Sequence, residues 1–351
     1  MSRSLSQTIG LFQAKTPARG NARKNPRRIA SSSIAVIAWL RSLPTSLLHA
    51  PISPMKPHLL CLASAIAFST FALLHARAQD APVATSGATP SIFVCGDSTS
   101  KNNGKGKSGE PMVGWGTPIV DFFDATKVTI KNVGHAGRSS QTYYDGDWPK
   151  VLPQINSGDY VLLVFGINDG GTPPGLGDET VVKGTQTLHT YGWYMAKMAS
   201  DATAKGAHVY LLTVTTRNIW SNPKVKYVDG TPAGPLPSDY DPKDDKIERG
   251  TASGKFTQWT KDVGAKLNLP VLDLTNLLAD KYEAIGREEV NKLYSDHNHT
   301  YADGAKIVAA SIVSGLKAFP DSPFIPLLST EGQAIVPADP KYILPNTGAA
   351  N

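Results

Sequence analysis

Ser91-Ile92-Phe93-Val94-Cys95-Gly96-Asp97-Ser98 is the stretch on which the fold turns. A short run of apolar, β-branched and aromatic residues ends abruptly in Gly-Asp-Ser. Such a run suits a strand buried on both faces of a sheet. Comparable runs recur at Lys127–Asn132, Tyr160–Phe165 and His208–Val214, with a shorter one at Pro270–Leu272. Between them Pro118–Asp124, Trp148–Ile155, Thr180–Lys205 and Gly254–Leu267 have helical character. A last helix is predicted over Ala302–Ala318, with Ile307, Val308, Ile312, Val313 and Leu316 on one face. Strands alternating with helices predict βαβ units and a parallel sheet covered on both sides. The expected domain, residues 91–318, is therefore an α/β protein: a three-layer α/β/α sandwich on a parallel five-stranded sheet. Its site should lie at the carboxyl ends of the strands.

Two segments depart from this alternation. Residues 217–253 are dense in Pro, Gly, Asp and Lys, with little periodicity. Loops of that length are uncommon unless they have a function or are disordered. Residues 319–351 contain Pro320, Pro323, Pro326, Pro337, Pro340 and Pro345, too many for a helix. Leu327, Leu328, Ile335, Ile343 and Leu344 point to a Pro-rich tail that packs on the domain.

The amino-terminal region is read apart from the fold. Met-Lys-Pro-His from Met55, the apolar stretch Leu59–Leu74 and Ala76-Arg77-Ala78 have the layout of a secretory signal peptide at 55–78, cut after Ala78. The apolar part is shorter than the ~20 residues a spanning helix needs, so no integral membrane segment is expected after cleavage. Residues 1–54 hold eight Lys/Arg and no acidic residue. They read as a basic extension or an over-extended gene start, with a transit peptide as the competing reading. Residues 79–90 form a polar linker. The expected location is secreted or periplasmic.

This division reverses the charge reading. The whole chain carries a formal +6, yet ten of its 35 Lys/Arg and none of its 29 Asp/Glu lie in residues 1–78. The rest holds 25 basic against 29 acidic groups, a net −4, and a nucleic-acid partner is not expected. Of the two cysteines Cys61 lies in the signal, leaving Cys95 as a small buried thiol and no intrachain disulfide. A monomer is expected.

The candidate chemistry lies in four islands: Gly96-Asp97-Ser98-Thr99, Gly137, Gly166-Ile167-Asn168-Asp169 and Asp296-His297-Asn298-His299. Ser98 follows the first strand, at a rim where a helix N-terminus would turn backbone N–H groups outward. For an isolated Gly-Asp-Ser a helix cap or turn serine is the commoner reading. Gly137 lets a substrate approach the backbone and offers an N–H, and it is also a plain turn glycine. Asn168 could donate its amide at the same rim, although Asn-Asp-Gly-Gly is an ordinary turn composition. Asp296 and His299 are three apart, close enough for the carboxylate to hold one imidazole nitrogen while the other faces a serine. A polar surface loop, or a metal site that includes His297, are the other readings of that island. No second cluster has ligand spacing, so no metal and no cofactor are expected.

Two motifs fail. Gly106-Lys107-Ser108 looks like the end of a phosphate-binding loop, but Lys101 occupies the position of the required glycine. The Gly-x-Ser-x-Gly elbow is absent, since position 100 is Ser.

Taken in order, the islands resemble the blocks of the SGNH (GDSL-type) hydrolases. Gly-Asp-Ser-Thr, Ala-Gly-Arg-Ser, Phe-Gly-x-Asn-Asp-Gly-Gly and Asp-His-x-His-Thr resemble more narrowly the rhamnogalacturonan acetylesterase family. Thr203-Ala-Lys-Gly-Ala207 and Pro270-Val-Leu-Asp-Leu274 add to the likeness, which covers roughly residues 91–318. The resemblance implies a flavodoxin-like α/β/α fold and hydrolysis of acetyl esters on an acetylated pectic polysaccharide. It makes Ser98 the nucleophile, His299 the base and Asp296 its orienter. The N–H groups of Ser98 and Gly137 and the Asn168 amide become the oxyanion hole. Arg138 and Tyr143, near the same rim, are candidates for touching a uronate-bearing chain. The competing readings are an esterase for xylan acetyl groups or short-chain lipids, and a catalytically silent carbohydrate-binding protein.

Overall fold

The computed structural model describes residues 89–344, apart from 102, 103, 229 and 253. The expected signal peptide at 55–78, the basic extension before it and residues 79–88 of the linker lie outside the described residues. The central sheet is built from β1 (Ser91–Cys95), β2 (Thr129–Asn132), β3 (Tyr160–Leu163), β4 (His208–Leu212), β5 (Val271–Leu272) and β6 (Ile343–Leu344). Their spatial order is β6-β5-β4-β3-β1-β2. The first five pair in parallel, and β6 pairs antiparallel with β5. The order 2-1-3-4-5 within it is the doubly wound flavodoxin-like arrangement. The sheet thus has one more strand than the sequence reading gave, because the Pro-rich tail returns to cover the edge of β5. An uncovered edge would leave a row of unpaired N–H and C=O groups.

Side-chain alternation divides the core between the two faces. In β1, Ile92 and Val94 join one cluster, and Phe93 and Cys95 join the other. On the first face lie α5 (Leu274–Ile285) and α7 (Ala302–Ala318), which bury Leu277, Leu278, Ile307, Val308, Ile312 and Leu316. On the other lie α3 (Tyr191–Ala204) and α4 (Lys255–Leu267), which bury Met195, Met198, Ala199 and Val263. Helix α7 sits close to the sheet because position 315 is glycine: an added Cβ would lie 2.4 Å from Leu272 Cδ1. The tail contributes Phe319, Phe324, Leu328, Tyr342 and Ile343 to the first cluster.

Several stretches differ from the sequence reading or go beyond it. Thr180–Lys205 is a hairpin, Thr180–Lys183 with Gln186–His189, followed by α3. The β-branched Thr180-Val-Val favours the pleated form. The helix starts only where the Thr190 side chain accepts the Trp193 N–H at 3.2 Å. Helices α1 (Ser140–Gly146), α2 (Trp148–Val151) and α6 (Arg287–Leu293), like α5, were legible only in part or not at all. The excursion at 217–253 is ordered around Asp245, whose carboxylate accepts from Asn222, Tyr227 and Tyr240 at 2.8, 2.5 and 2.7 Å and pairs with Arg287 at 3.1 Å. Burial raises the Asp245 carboxyl, but these bonds outweigh it and hold the group below the usual range. Arg217 closes the neck of the excursion with two bonds to Glu248, at 2.6 and 2.7 Å. Among the described residues, no helix is long and apolar enough to cross a membrane.

Candidate active site

In a 2-1-3-4-5 sheet the connections from the central pair leave in opposite directions, and a crevice opens between the carboxyl ends of β1 and β3. Ser98 follows β1, Gly137 follows β2 and Asn168 follows β3, so these islands meet at one rim. Hydrogen bonds join the three loops. Asn132 Nδ2 donates to the Ser100 carbonyl at 2.7 Å, the His135 N–H to the Gly96 carbonyl at 2.9 Å, and Asn168 Nδ2 to the Arg138 carbonyl at 3.0 Å.

Among the described residues, no helix begins directly after Ser98. Residues 98–100 form a turn in which Ser100 donates to the Asp97 carbonyl through both its N–H (3.1 Å) and its Oγ (2.9 Å). The Ser98 N–H therefore sits at the start of a tight turn and not at a helix N-terminus, and the helix-dipole part of the sequence reading is corrected.

The fourth island approaches from the far end of the chain. An antiparallel bridge between Tyr294 and Thr300 closes residues 295–299 into a tight loop, with the Ser295 N–H donating to the His299 carbonyl at 2.8 Å. Within it Asp296 Oδ1 accepts the N–H groups of Asn298 and His299 at 2.7 and 2.8 Å. Asp296 Oδ2 lies 2.8 Å from His299 Nδ1, and His299 Nε2 lies 2.9 Å from Ser98 Oγ. A carboxylate only accepts, so the imidazole proton is assigned to Nδ1 and the Nε2 lone pair faces the serine hydroxyl. Burial raises the Asp296 carboxyl, but the bonds from His299 and Asn298 outweigh it and keep it below the ordinary value. The excursion and the residue before it steady this loop: the Asn218 N–H donates to the His297 carbonyl at 2.9 Å, and Tyr294 Oη to the Thr216 carbonyl at 2.9 Å.

Gly137 has φ +77°, and an added Cβ would meet no atom within 4 Å. Left-handed backbone with open space beside it leaves room for a substrate against the chain. One hydrogen of the Asn168 amide is held by Arg138, and the same nitrogen carries a second.

Two carboxylates that the sequence reading passed over lie beneath the rim. Asp97 accepts the Thr99 N–H at 2.8 Å. Asp169 accepts the Ser140 N–H at 3.0 Å, Ser140 Oγ at 2.5 Å and Thr172 Oγ1 at 3.0 Å, tying the start of α1 to the Asn168 turn. Burial pushes both carboxyls up to about 6 against these hydrogen bonds. Their sequence signal was adjacency, since each neighbours a residue already singled out.

Tyr143 and Arg138 are placed differently from the sequence reading, while Cys95 is the buried thiol that it expects. Tyr143 is fully buried, its ring tilted against that of Phe165 at 4.9 Å between centroids and its hydroxyl donating to the Val133 carbonyl at 3.0 Å, so it belongs to the core and cannot touch a polysaccharide. Arg138 has its guanidinium on Asp147 at 2.6 Å, which also neutralises it; its link to the site runs through its main-chain carbonyl. Cys95 is buried, and burial pushes its thiol up to about 12, which leaves no thiolate for nucleophilic attack. Among the described residues, no three His, Cys, Asp or Glu side chains are grouped to hold a metal ion.

The model of the GDSL-like lipase/acylhydrolase family matches residues 94–307, which include every island. Among curated proteins, the chain is 28% identical over 240 residues to a rhamnogalacturonan acetylesterase of Emericella nidulans, covering 64% of this chain and 84% of the relative. It is 24% identical over 243 residues to the rhamnogalacturonan acetylesterase RhgT of Bacillus subtilis, covering 64% and 89%. Among solved structures, YxiM of Bacillus subtilis aligns with a TM-score of 0.48 at 22% identity, over 66% of this chain and 56% of its own.

Proposed function

Because the chain belongs to the GDSL-like lipase/acylhydrolase family, we propose that it is a serine esterase removing acetyl groups from rhamnogalacturonan through an acetyl-serine intermediate. The observation that carries the chemistry is the continuous relay Asp296–His299–Ser98, with links of 2.8 and 2.9 Å, at the rim where Gly137 and Asn168 present donors. The pectic substrate is supported by the names of the two relatives.

A serine hydroxyl is a weak nucleophile near neutral pH. His299 Nε2 takes the proton as Ser98 Oγ attacks the acetyl carbonyl, and Asp296 stabilises the imidazolium through Nδ1. Charge that develops on the carbonyl oxygen is met by the N–H groups of Ser98 and Gly137 and by the Asn168 amide. Each preorganised donor of this kind contributes about 3–4 kcal/mol to the transition state. His299 returns its proton to the departing sugar oxygen. It then deprotonates a water that attacks acetyl-Ser98 and releases acetate. The stretch at 55–78 supports a further part of the proposal, that the enzyme acts outside the cytoplasm.

The test is acetate release by residues 79–351 from acetylated rhamnogalacturonan, acetylated xylan and a short-chain aryl ester. Preferential release from the pectic polymer is expected. Activity confined to xylan or the aryl ester would keep the mechanism and overturn the substrate. Inactivity on all three would favour the carbohydrate-binding reading.

A further inference from the structure

The first cation to follow each of β1 to β4 in the sequence is Lys101, Arg138, Lys183 and Arg217 respectively. They fall into two kinds. Arg138 is neutralised by Asp147, and Arg217 by Glu248. Lys101 and Lys183 are held instead by main-chain carbonyls: Lys101 Nζ donates to Asn132 at 3.1 Å, and Lys183 Nζ to Gly171 at 2.7 Å. Among the described residues no carboxylate lies within ion-pair distance of Lys183, although Asp178 and Glu179 precede its strand.

Lys183 is the better placed of the two. Gly171 ends the single 3-10 turn Asp169–Gly171 that begins beside Asn168. At about 2 Å of rise per residue, that turn sets the ammonium roughly 10 Å or less from the oxyanion donor. Its hairpin is exposed along most of its length, with Val182 70% exposed. The buried Leu188, opposite Val181, keeps the Lys183 face turned toward the domain. At the end of the hairpin away from Lys183, where His189 pairs with Thr180, lie partly exposed rings from three elements. His189 stacks on Trp193 at 3.8 Å between centroids, and Tyr144 of α1 meets Trp193 edge-on at 5.4 Å. An ammonium without a carboxylate, on a hairpin whose other end carries flat apolar faces about 10 Å away, suits a saccharide that carries carboxylates.

We propose that the hairpin 180–189 forms one wall of the substrate groove, and that Lys183 pairs with a uronate carboxylate near the acetylated sugar. The inference rests on the polysaccharide reading above and adds that the enzyme selects anionic over neutral acetylated chains. Lys183 thus takes the part expected from the sequence for Arg138.

The test measures kcat/KM of the wild type and of Lys183→Arg, Lys183→Gln and Lys183→Glu on acetylated rhamnogalacturonan, acetylated xylan and an aryl acetate. The expected result is a fall in the ratio of pectic to aryl activity, carried by KM, in the order Arg, Gln, Glu. Loss of one partly exposed ion pair predicts about a three- to fivefold fall for Lys183→Gln. The reversed charge of Lys183→Glu should give about tenfold or more. Activity of the wild type on the pectic polymer should weaken with salt, and less so in Lys183→Gln, because the Debye length is only about 8 Å at physiological ionic strength. A wild type selective for the pectic polymer whose ratio is unmoved by Lys183→Glu would overturn the role of Lys183 alone. A wild type that prefers xylan or acts only on the aryl ester would overturn the polysaccharide reading and this inference together.

Discussion

Replacing Asp296 by asparagine isolates the proton relay from the loop that carries it. Asp296 Oδ1 accepts two main-chain N–H groups, at 2.7 and 2.8 Å, while Oδ2 faces His299 Nδ1 at 2.8 Å. In Asp296→Asn the amide oxygen stays on the two N–H groups, so the amide nitrogen must face Nδ1. Two donors cannot face each other, and the imidazole shifts its proton to Nε2. The lone pair that should accept the Ser98 proton across 2.9 Å is then gone. The same exchange in a serine protease triad costs about ten-thousand-fold in kcat. At about 1.4 kcal/mol per decade, that is roughly 5 kcal/mol of transition-state stabilisation. Steady-state kinetics on a soluble aryl acetate should show the fall in kcat with little change in KM, and Tm should stay near the wild-type value. Asp296→Ala should lose both activity and loop stability, because the turn goes with it. A kcat for Asp296→Asn within about tenfold of wild type would refute the assigned tautomer and the orienting role.

Asn168→Ala should lower kcat by about 100- to 1,000-fold, with KM little changed, as the loss of one oxyanion donor requires; an effect on KM alone would make Asn168 a ground-state contact. Gly137→Ala places an L residue at φ +77°, where the left-handed region costs about 1–2 kcal/mol, and Tm followed by circular dichroism should drop by a few degrees. Arg287→Ala leaves the nearly enclosed Asp245 carboxylate without its cation, and breaking a buried pair of this sort costs about 3–5 kcal/mol. The expected Tm decrease is about 10 °C at 2–4 °C per kcal/mol. Asp97 and Asp169 have folded values of about 6, above the ordinary 3.8. Between those values the folded protein retains protons that the unfolded chain releases, so these two groups make stability fall as pH rises from about 4 to about 6. Asp296 and Asp245 are shifted downward, so the stability they add is lost only as pH falls through the acid range below the ordinary carboxylate value. Chemical denaturation across pH should show the fall between 4 and 6 flattened in Asp97→Asn, which keeps an acceptor for the Thr99 N–H; an unaltered slope would contradict the raised value.

Much of the fold was readable because burial on both faces leaves a plain mark. Ser91–Cys95 and Ala302–Ala318 have the same limits in sequence and structure, since one is uniformly apolar and the other is periodic over four turns. The hairpin at 180–189 was lost inside a helical reading because its strands are exposed and carry no apolar alternation. Residues 217–253 hid their order for a different reason: their centre is a hydrogen-bonded carboxylate, Asp245, and such a network has no period. Strand β6 was invisible as a strand, since two residues become one only when an edge is there to receive them. At the site, local order placed Ser98, Gly137, Asn168, Asp296 and His299 at one rim. Tyr143 and Arg138 misled because sequence proximity gave no side-chain direction. Helix α1 turns the first into the core, and Asp147 draws the second aside. Asp97 and Asp169 went unremarked because a buried acid and a turn acid are written with the same letter.

The most direct test of the account is to titrate the enzyme with a phosphonate ester that reacts with activated serines, map the labelled peptide and follow acetate release in parallel. Acetate release should be lost in proportion to label on the peptide carrying Ser98, at one label per chain, with neither label nor turnover in Ser98→Ala. Label on another residue, or acetate release persisting in fully labelled protein or in Ser98→Ala, would contradict the assignment of Ser98 as the nucleophile.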